Sequence, residues 1–311
     1  MDILSSIFTV STAQTAMELG CIYALVALAL FLSFSILNIA DLSTDGCFTL
    51  GCAVCCQVTL MGHPILGLFA AMLAGVLSGY ITAFLQTKLG VASILAGIIV
   101  NTGLYTVNLA VMGFSSTLSV FKCDTIFSLA KDTLEPILGD WYKLVIAVVI
   151  VFLVGGILTW FLKTRLGLSI RATGDSPDMI KASSVNPAFT ITVGLCISSS
   201  LTALSGAVLA QYQKSCDINL GTGMVTIALA SLIIGETLVG KGGMFRRILG
   251  AIIGSCLYRL FVAIALRLNV PAECMKLVSA LIVAIAIASP TMKHFIAFQK
   301  QKASRKAGSQ C

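Results

Sequence analysis

Residues 142–162 read YKLVIAVVIVFLVGGILTWFL, with Lys143 at the start, Lys163 just past the end and no charge between them. A helix of about 20 apolar residues spans the roughly 30 Å of hydrocarbon in a bilayer. The same signature recurs on both sides, over 15–38, 64–86, 91–112, 189–210, 221–238, 248–266 and 274–290. Residues 46–61 are apolar but shorter, and they predict a ninth, broken or tilted, span. Hydrophobic residues are 58% of the 311, charged residues only 11%, and the mean hydropathy is +1.00. A soluble domain of this length needs far more charge to keep its surface wet. The expected fold class is an all-α polytopic membrane protein of about nine transmembrane helices, with eight to ten as the range. The first residues hold neither a basic n-region nor a small-residue cleavage site, so no cleavable leader is expected. Residues 3–14 read as a short interfacial helix or an extra crossing.

The net charge of +7 is explained by topology rather than by nucleic acid. With loop 163–188 in the cytoplasm, alternation places Lys88, the 239–247 turn and the 291–311 tail on the same side. That side then carries thirteen Lys and Arg residues against six flanking the other, with Arg259 inside a span. The longest outer loop, 113–141, holds four acids and two bases. Lysine and arginine concentrate on the cytoplasmic side of membrane proteins, so the C-terminus is expected inside and, for nine spans, the N-terminus outside.

Self-comparison shows an internal repeat. Asp41-Leu-Ser-Thr-Asp-Gly46 echoes Asp217-Ile-Asn-Leu-Gly-Thr-Gly223, and an apolar stretch follows each. Gly75-x-x-x-Gly79 echoes Gly250-x-x-x-Gly254, and Lys88-Leu-Gly-Val-Ala echoes Arg267-Leu-Asn-Val-Pro-Ala. The offsets of 176, 175 and 179 residues keep register. Lys88 is assigned inside and Arg267 outside, so the copies have inverted topology. That arrangement is typical of transport proteins, because a pseudo-two-fold axis in the membrane plane offers related openings to both faces. The chain reads as a single permease-like domain, 1–311. Its inverted halves cover about 15–112 and 189–290, joined around a cytoplasmic loop 163–188 and followed by a basic cytoplasmic tail 291–311.

Asp41, Asp45 and Asp217 flank apolar segments where the short helices begin. An ionised Asp at the bilayer centre costs about 2.5–3.5 kcal/mol on insertion scales. These carboxylates should therefore face a cavity, a helix N-terminus or each other. Capping a broken helix is the plainer role, since a carboxylate there accepts from free backbone N–H groups; contact with a substrate is the sharper one. Asp41, Thr44, Asp45, Gln211, Gln213, Asp217 and Asn219 are the candidates for the helix breaks or the substrate path. Asn101, Asn108, Glu236 and Arg259 read as interhelical hydrogen-bonding groups, and the Gly-x-x-x-Gly pairs as close-packing surfaces.

The eleven cysteines lie mostly inside apolar runs, where Cys acts as a small hydrophobe. Cys52-x-x-Cys55 resembles half a zinc motif, but His63 and His294 alone do not complete a ligand set, so no metal and no cofactor are expected. The chain has no Walker A loop, H-E-x-x-H or G-x-S-x-G. It is not expected to be an enzyme, and energy from ATP would have to enter through another chain.

Loop 163–188 differs in kind. Gly174 is placed to end one short helix and Asp175 or Ser176 to cap the next. Pro177 suits the first turn of that second helix, and Asn186-Pro187 stops it. The expected product is a two-turn cytoplasmic helix that presents Met179 and Ile180 between charges, as a docking surface for a soluble partner would.

Several ordered segments carry a resemblance to a known family. They are Ala40-Asp-Leu-Ser-Thr-Asp-Gly, Thr87-Lys-Leu-Gly through Leu95-Ala-Gly-Ile, Arg171-Ala-Thr-Gly-Asp-Ser-Pro, Leu204-Ser-Gly-Ala-Val-Leu-Ala-Gln-Tyr-Gln and Ile234-Gly-Glu-Thr-Leu. Over about residues 15–290 the chain resembles permease subunits of bacterial ATP-binding-cassette importers, in the branched-chain amino acid and ribose-type group. Within that group it looks similar to the predicted tryptophan/tyrosine-type permeases. The resemblance implies a permease subunit of the cell membrane, most simply a homodimer. Its implied partners are cytoplasmic ATPase subunits, which hydrolyse ATP in trans, and an extracytoplasmic receptor, either a lipoprotein or a periplasmic protein. It also implies that Arg171, Gly174, Asp175, Pro177, Asp178, Met179 and Ile180 belong to the element coupling permease to ATPase. Ser183-Ser184-Val185-Asn186 departs from the pattern, since such permeases usually have Gly before Ile/Val-Asn. The competing classes are a secondary transporter or channel without an ATPase, and a membrane-embedded enzyme.

Overall fold

A computed structural model describes residues 10–267 apart from 122, 183–184 and 241, together with 277, 280, 281 and 284. The span expected at 274–290 thus lies, but for those four residues, outside the described ones. So do residues 3–9, the 291–311 tail and the Ser183-Ser184 departure.

The first helix, α1 (Val10–Leu30), is prolonged by a one-turn π-helix, Phe31–Ile36. A turn at 37–43 leads into α2 (Thr44–Leu60), followed by α3 (Pro64–Thr87) and α4 (Ser93–Val111). The segment 113–141 holds β1 (Thr117–Ser119) and α5 (Ile126–Leu138), and α6 (Tyr142–Lys163) follows. Then come α7 (Arg165–Asp175), α8 (Pro177–Ala182), α9 (Pro187–Gln213), β2 (Ser215–Asp217), α10 (Met224–Val239) and α11 (Met244–Arg267).

Local chemistry sets many of these ends. The Thr125 hydroxyl accepts from Ser128 N at 3.2 Å while Ser128 Oγ accepts from Thr125 N at 3.0 Å, a reciprocal cap on α5. Asn186 Oδ1 accepts from Ala188 N at 3.0 Å ahead of Pro187, so the Asn-Pro pair, expected to stop α8, opens α9 instead, and α8 ends earlier, at Ala182. Gly223 and Gly240, at φ +85° and +80°, bracket α10 with left-handed residues that only glycine adopts without strain.

Six helices among the described residues are long and apolar enough to cross a membrane: Ser11–Ile36, Pro64–Thr87, Ser93–Val111, Tyr142–Phe161, Pro187–Gln213 and Met244–Arg267. Two shorter apolar helices, α2 and α10, have 17 and 16 residues. At 1.5 Å per residue each reaches only about 25 Å, so residues 221–238, expected to form a full span, form a short helix like 46–61.

α1 and α9 occupy the middle and are mostly buried, while α3, α4, α6 and α11 form the periphery. α3 shows why. Leu66, Phe69, Leu73, Leu77 and Phe84 are exposed on one side, while Ala71, Gly75, Ser78, Gly79 and Thr82 are buried on the other. An apolar exterior over a small-residue interior is the inverse of a soluble fold, because lipid tails solvate apolar side chains and close packing must hold the helices. Gly75 and Gly79 face α9; a Cβ on Gly75 would lie 2.6 Å from the Ser199 carbonyl. Gly250 and Gly254 instead face Ser231 and Gly235 of α10. The two Gly-x-x-x-Gly pairs thus both serve close packing, against different neighbours. Serine hydroxyls tie the central helices together: Ser198 donates to Ala29 O at 2.8 Å, Ser205 to Ile22 O at 2.7 Å and Ser255 to Gly20 O at 2.8 Å. Cys47 and Cys52 behave as small buried groups whose thiols donate to Ser199 O and Gly206 O at 3.2 and 3.0 Å.

One element departs from an all-α expectation. β1 and β2 pair antiparallel, Thr117 opposite Asp217 and Ser119 opposite Ser215. Three-residue strands carry too little alternation to be read from sequence, and here the pairing clips the segment after α4 to the end of α9.

Candidate functional site

α4 carries Asn101, Tyr105 and Asn108 at i, i+4 and i+7, hence on one face. This polar stripe on an apolar helix faces a cavity of about 310 Å³, within the range of small-ligand sites. Asp45 and Thr49 of α2 line a second side, and Asn219, Gly221 and Thr222, ahead of α10, the third.

Asp45 organises the site. Its carboxylate accepts from Gly223 N and from Val225 N, each at 2.9 Å, and so caps the N-terminus of α10 from another helix. Thr49 Oγ1 accepts from Gly221 N at 3.1 Å in the same loop. Asn108 Nδ2 donates to Gly46 O at 3.1 Å, while the buried Asn108 Oδ1 has no hydrogen-bond partner among the described residues. The first amides of α10 are therefore already engaged, and the cavity offers a carboxylate, amide groups and a phenol on apolar walls.

The other candidates separate into distinct roles. Asp41 is buried at the turn before α2, where Oδ1 accepts from Ser43 N at 2.9 Å and Ser43 Oγ at 2.6 Å. Thr44 Oγ1 donates back to Asp41 O at 3.0 Å. Asp217 makes the same i to i+2 turn, accepting from Asn219 N at 2.8 Å. Gln211 is a buried tie: Oε1 accepts from Ile126 N at 3.0 Å and Nε2 donates to Pro64 O at 2.8 Å. Gln213 is exposed at the end of α9. Of the seven expected path residues, the cavity thus gathers Asp45 and Asn219. Thr49, Asn101, Thr102, Tyr105 and Asn108 were not expected as path residues; the polar spacing on α4 is the signal that marks them.

Three of the four groups expected to bond between helices do so, Asn108 through the bond to Gly46 O already described. Glu236 on α10 pairs with Arg247 on α11 at 2.9 Å, and the Arg259 guanidinium lies 3.4 Å from the centroid of the Tyr23 ring.

In the 163–188 segment, Thr164 Oγ1 caps α7 by accepting from Gly167 N at 3.3 Å, and α8 begins at Pro177. α7 is docked on α9 through the Thr173 and Thr190 hydroxyls, 2.8 Å apart. The expectation that Ile180 projects outward is corrected: Ile180 is 6% exposed. A six-residue helix gains little from its own backbone bonds and is held by folding its apolar side chain back on its neighbours. α7 exposes Leu166 and Leu168 as well as Arg171 and Asp175, and α8 exposes Asp178 and Lys181, paired at 3.1 Å. Gly174 packs inward, against the π-helical extension of α1.

The chain matches the family described as branched-chain amino acid transport system / permease component over residues 13–287. It is similar to a tyrosine transport system permease protein of Clostridioides difficile, 31% identical over 276 residues, covering 88% of this chain and 90% of that one. An uncharacterised protein of Rickettsia prowazekii is 30% identical over 281 residues, 88% of this chain and 96% of the relative. The D-allose transport system permease protein of Escherichia coli is 27% identical over 260 residues, 80% of this chain and 72% of the relative. No solved structure matches the chain.

Proposed function

Since the chain belongs to the family of branched-chain amino acid transport system permease components, we propose that it forms the translocation path of an ATP-driven importer for an aromatic amino acid. The observation that carries this reading is the polar cavity at the N-terminus of a short helix, inside a protein whose exterior is apolar. Tyrosine is favoured over a sugar by the identity to a tyrosine permease across almost the full length of both chains.

The chain crosses the inner membrane of a bacterium nine times as one domain, with 274–290 as the last span and the C-terminus in the cytoplasm. Two halves of inverted topology enclose the path. Their packing supports this: α2 lies on α3 as α10 lies on α11, and α3 lies on α9 as α11 lies on α1. The matching turns at Asp41 and Asp217 support it too. A second copy completes a homodimer, a receptor outside the membrane delivers the solute, and cytoplasmic ATPase subunits dock on α7 and α8. Reconstitution into proteoliposomes with candidate ATPase and receptor is the test. Tyrosine uptake is expected to require ATP and both partners. Uptake driven by an ion gradient in the permease alone would make the protein a secondary transporter.

Topology is checked by thiol labelling in a background without native cysteines. Cysteine at Asp124, in the exposed outer loop, is expected to react with an impermeant reagent from outside, and cysteine at Asp178 from the cytoplasm. The reverse pattern would turn the whole arrangement over.

The docking face carries exposed charges beside Leu166 and Leu168, so the charged part of its strength should depend on salt. Reversing Arg171 and Lys181 together to Glu is expected to weaken ATPase capture about tenfold, equivalent to about 1.4 kcal/mol. Membrane insertion should be unchanged. Pull-down of the ATPase at low and high salt checks this, and retention by the double variant would move the contact elsewhere.

A further inference from the structure

The turn of chain between α1 and α2 touches both the α7–α8 element and the cavity helix. Phe31–Ile36 is π-helical: Leu37 N donates five residues back to Leu32 O at 3.1 Å, and Ile39 N six back to Ser33 O at 2.9 Å. Ser33 Oγ reaches Ala29 O at 3.4 Å, the kind of side-chain bond that loosens and bends a helix. Asn38, at φ +56°, ends the segment in a left-handed conformation that Asn tolerates better than most residues.

Three contacts fix this segment. On one side Gly174, near the end of α7, lies so close to the Ile36 carbonyl that a Cβ has no space. On the other side Ser35 Oγ donates to Glu236 Oε1 at 3.4 Å, and the Arg247 guanidinium sits 5.0 Å from the Phe31 ring centroid. Further along the same strand of chain, Asp45 holds the N-terminus of α10. Residues 31–45 therefore grip α10 near both ends, at Gly223 and at Glu236, while leaning on α7 in between.

We propose that the π-helical turn Phe31–Ile36 is a positioning element that carries displacement of α7 to α10 and so to the cavity. A π-turn is a rare departure from α geometry that occurs mostly as a single turn and frequently at functional sites, and here it ends α1. Closing it to α geometry removes one residue from the ring, which advances the following chain by about 1.5 Å and turns it by about 100°. That gives Leu37–Asp45 two discrete positions, the condition for coupling between distant sites. The role in transport rests on the importer reading above; the mechanical link does not.

The test uses the purified full-length permease first and the reconstituted transporter second. Gly174→Leu forces α7 away from Ile36, and Ser35→Ala removes the Glu236 contact without adding bulk. In hydrogen exchange, both variants are expected to speed exchange at least tenfold at Leu37 and Ile39 and also at Gly223 and Val225, while α6 stays protected. Local opening confined to α7 and residues 36–39, with Gly223 and Val225 at the wild-type rate, would overturn the link whether or not an ATPase is involved. In proteoliposomes the expected result is bound, hydrolysing ATPase with tyrosine moved per ATP reduced about tenfold. An unchanged ratio overturns the proposal. Wild-type uptake that needs no ATP would sink the importer reading, and hydrogen exchange alone would then decide whether the link exists.

Discussion

Asp45→Ala is expected to abolish uptake, with a loss above a hundredfold, while Asp45→Asn retains a measurable fraction. The carboxylate accepts from two backbone amides of α10, each at 2.9 Å, from a residue 178 and 180 positions away in sequence. A hydrogen bond to a charged group contributes about 1.5–3 kcal/mol, and leaving a buried donor unpaired costs about 1–3 kcal/mol. Alanine removes both bonds and leaves the part-buried Val225 amide without its acceptor, while the exposed Gly223 amide turns to solvent. Asparagine keeps one acceptor oxygen, and so one of the two bonds, while it turns an NH2 toward the other amide and loses the charge that opposes the helix dipole. The same ordering, Asn milder than a nonpolar residue, is expected at Asp41 and Asp217, with smaller losses because each closes only a local turn. Transport assays on variants matched for membrane content check the series. Wild-type uptake in Asp45→Ala would show that the cross-helix cap is dispensable.

Gly235→Leu and Gly254→Leu are expected to prevent the permease from being recovered folded at all. A Cβ on Gly235 would run into the Gly250 carbonyl, and one on Gly254 into the Ser231 carbonyl, so the α10 and α11 backbones touch directly. Overpacking a dense interior typically costs about 1–3 kcal/mol when side chains can shift. A helix backbone shifts much less readily, so the helices must separate along their whole contact. In lipid no hydrophobic term brings them back, because association there depends on close packing. Gly156→Ala is the control, since nothing lies within 4 Å of its added Cβ. Size-exclusion profiles in detergent decide the matter: a monodisperse peak for Gly235→Leu would refute the contact.

Much of the fold was legible in composition alone. In lipid every backbone polar group must bond within its own segment, so an apolar run of about 20 residues has helix as its only solution. The segments 64–86, 91–112 and 142–162 became α3, α4 and α6 to within a few residues. In 163–188 the start signal at Pro177 worked for the same local reason, whereas Asn186, read as a stop, caps the start of α9.

What sequence could not supply is anything that depends on which helix lies beside which. Asp41 and Asp217, the pair singled out by the repeat, close local turns. Asp45, four residues along, spans the fold, because only tertiary packing brings the start of α10 to it. Ile180 is apolar beside charges and reads as exposed, yet α8 folds it inward. Residues 31–36 look like the tail of an ordinary apolar helix. Helix periodicity reports one face of one element, and a π-turn against Gly174 or a cavity between α2 and α4 exists only once several faces meet.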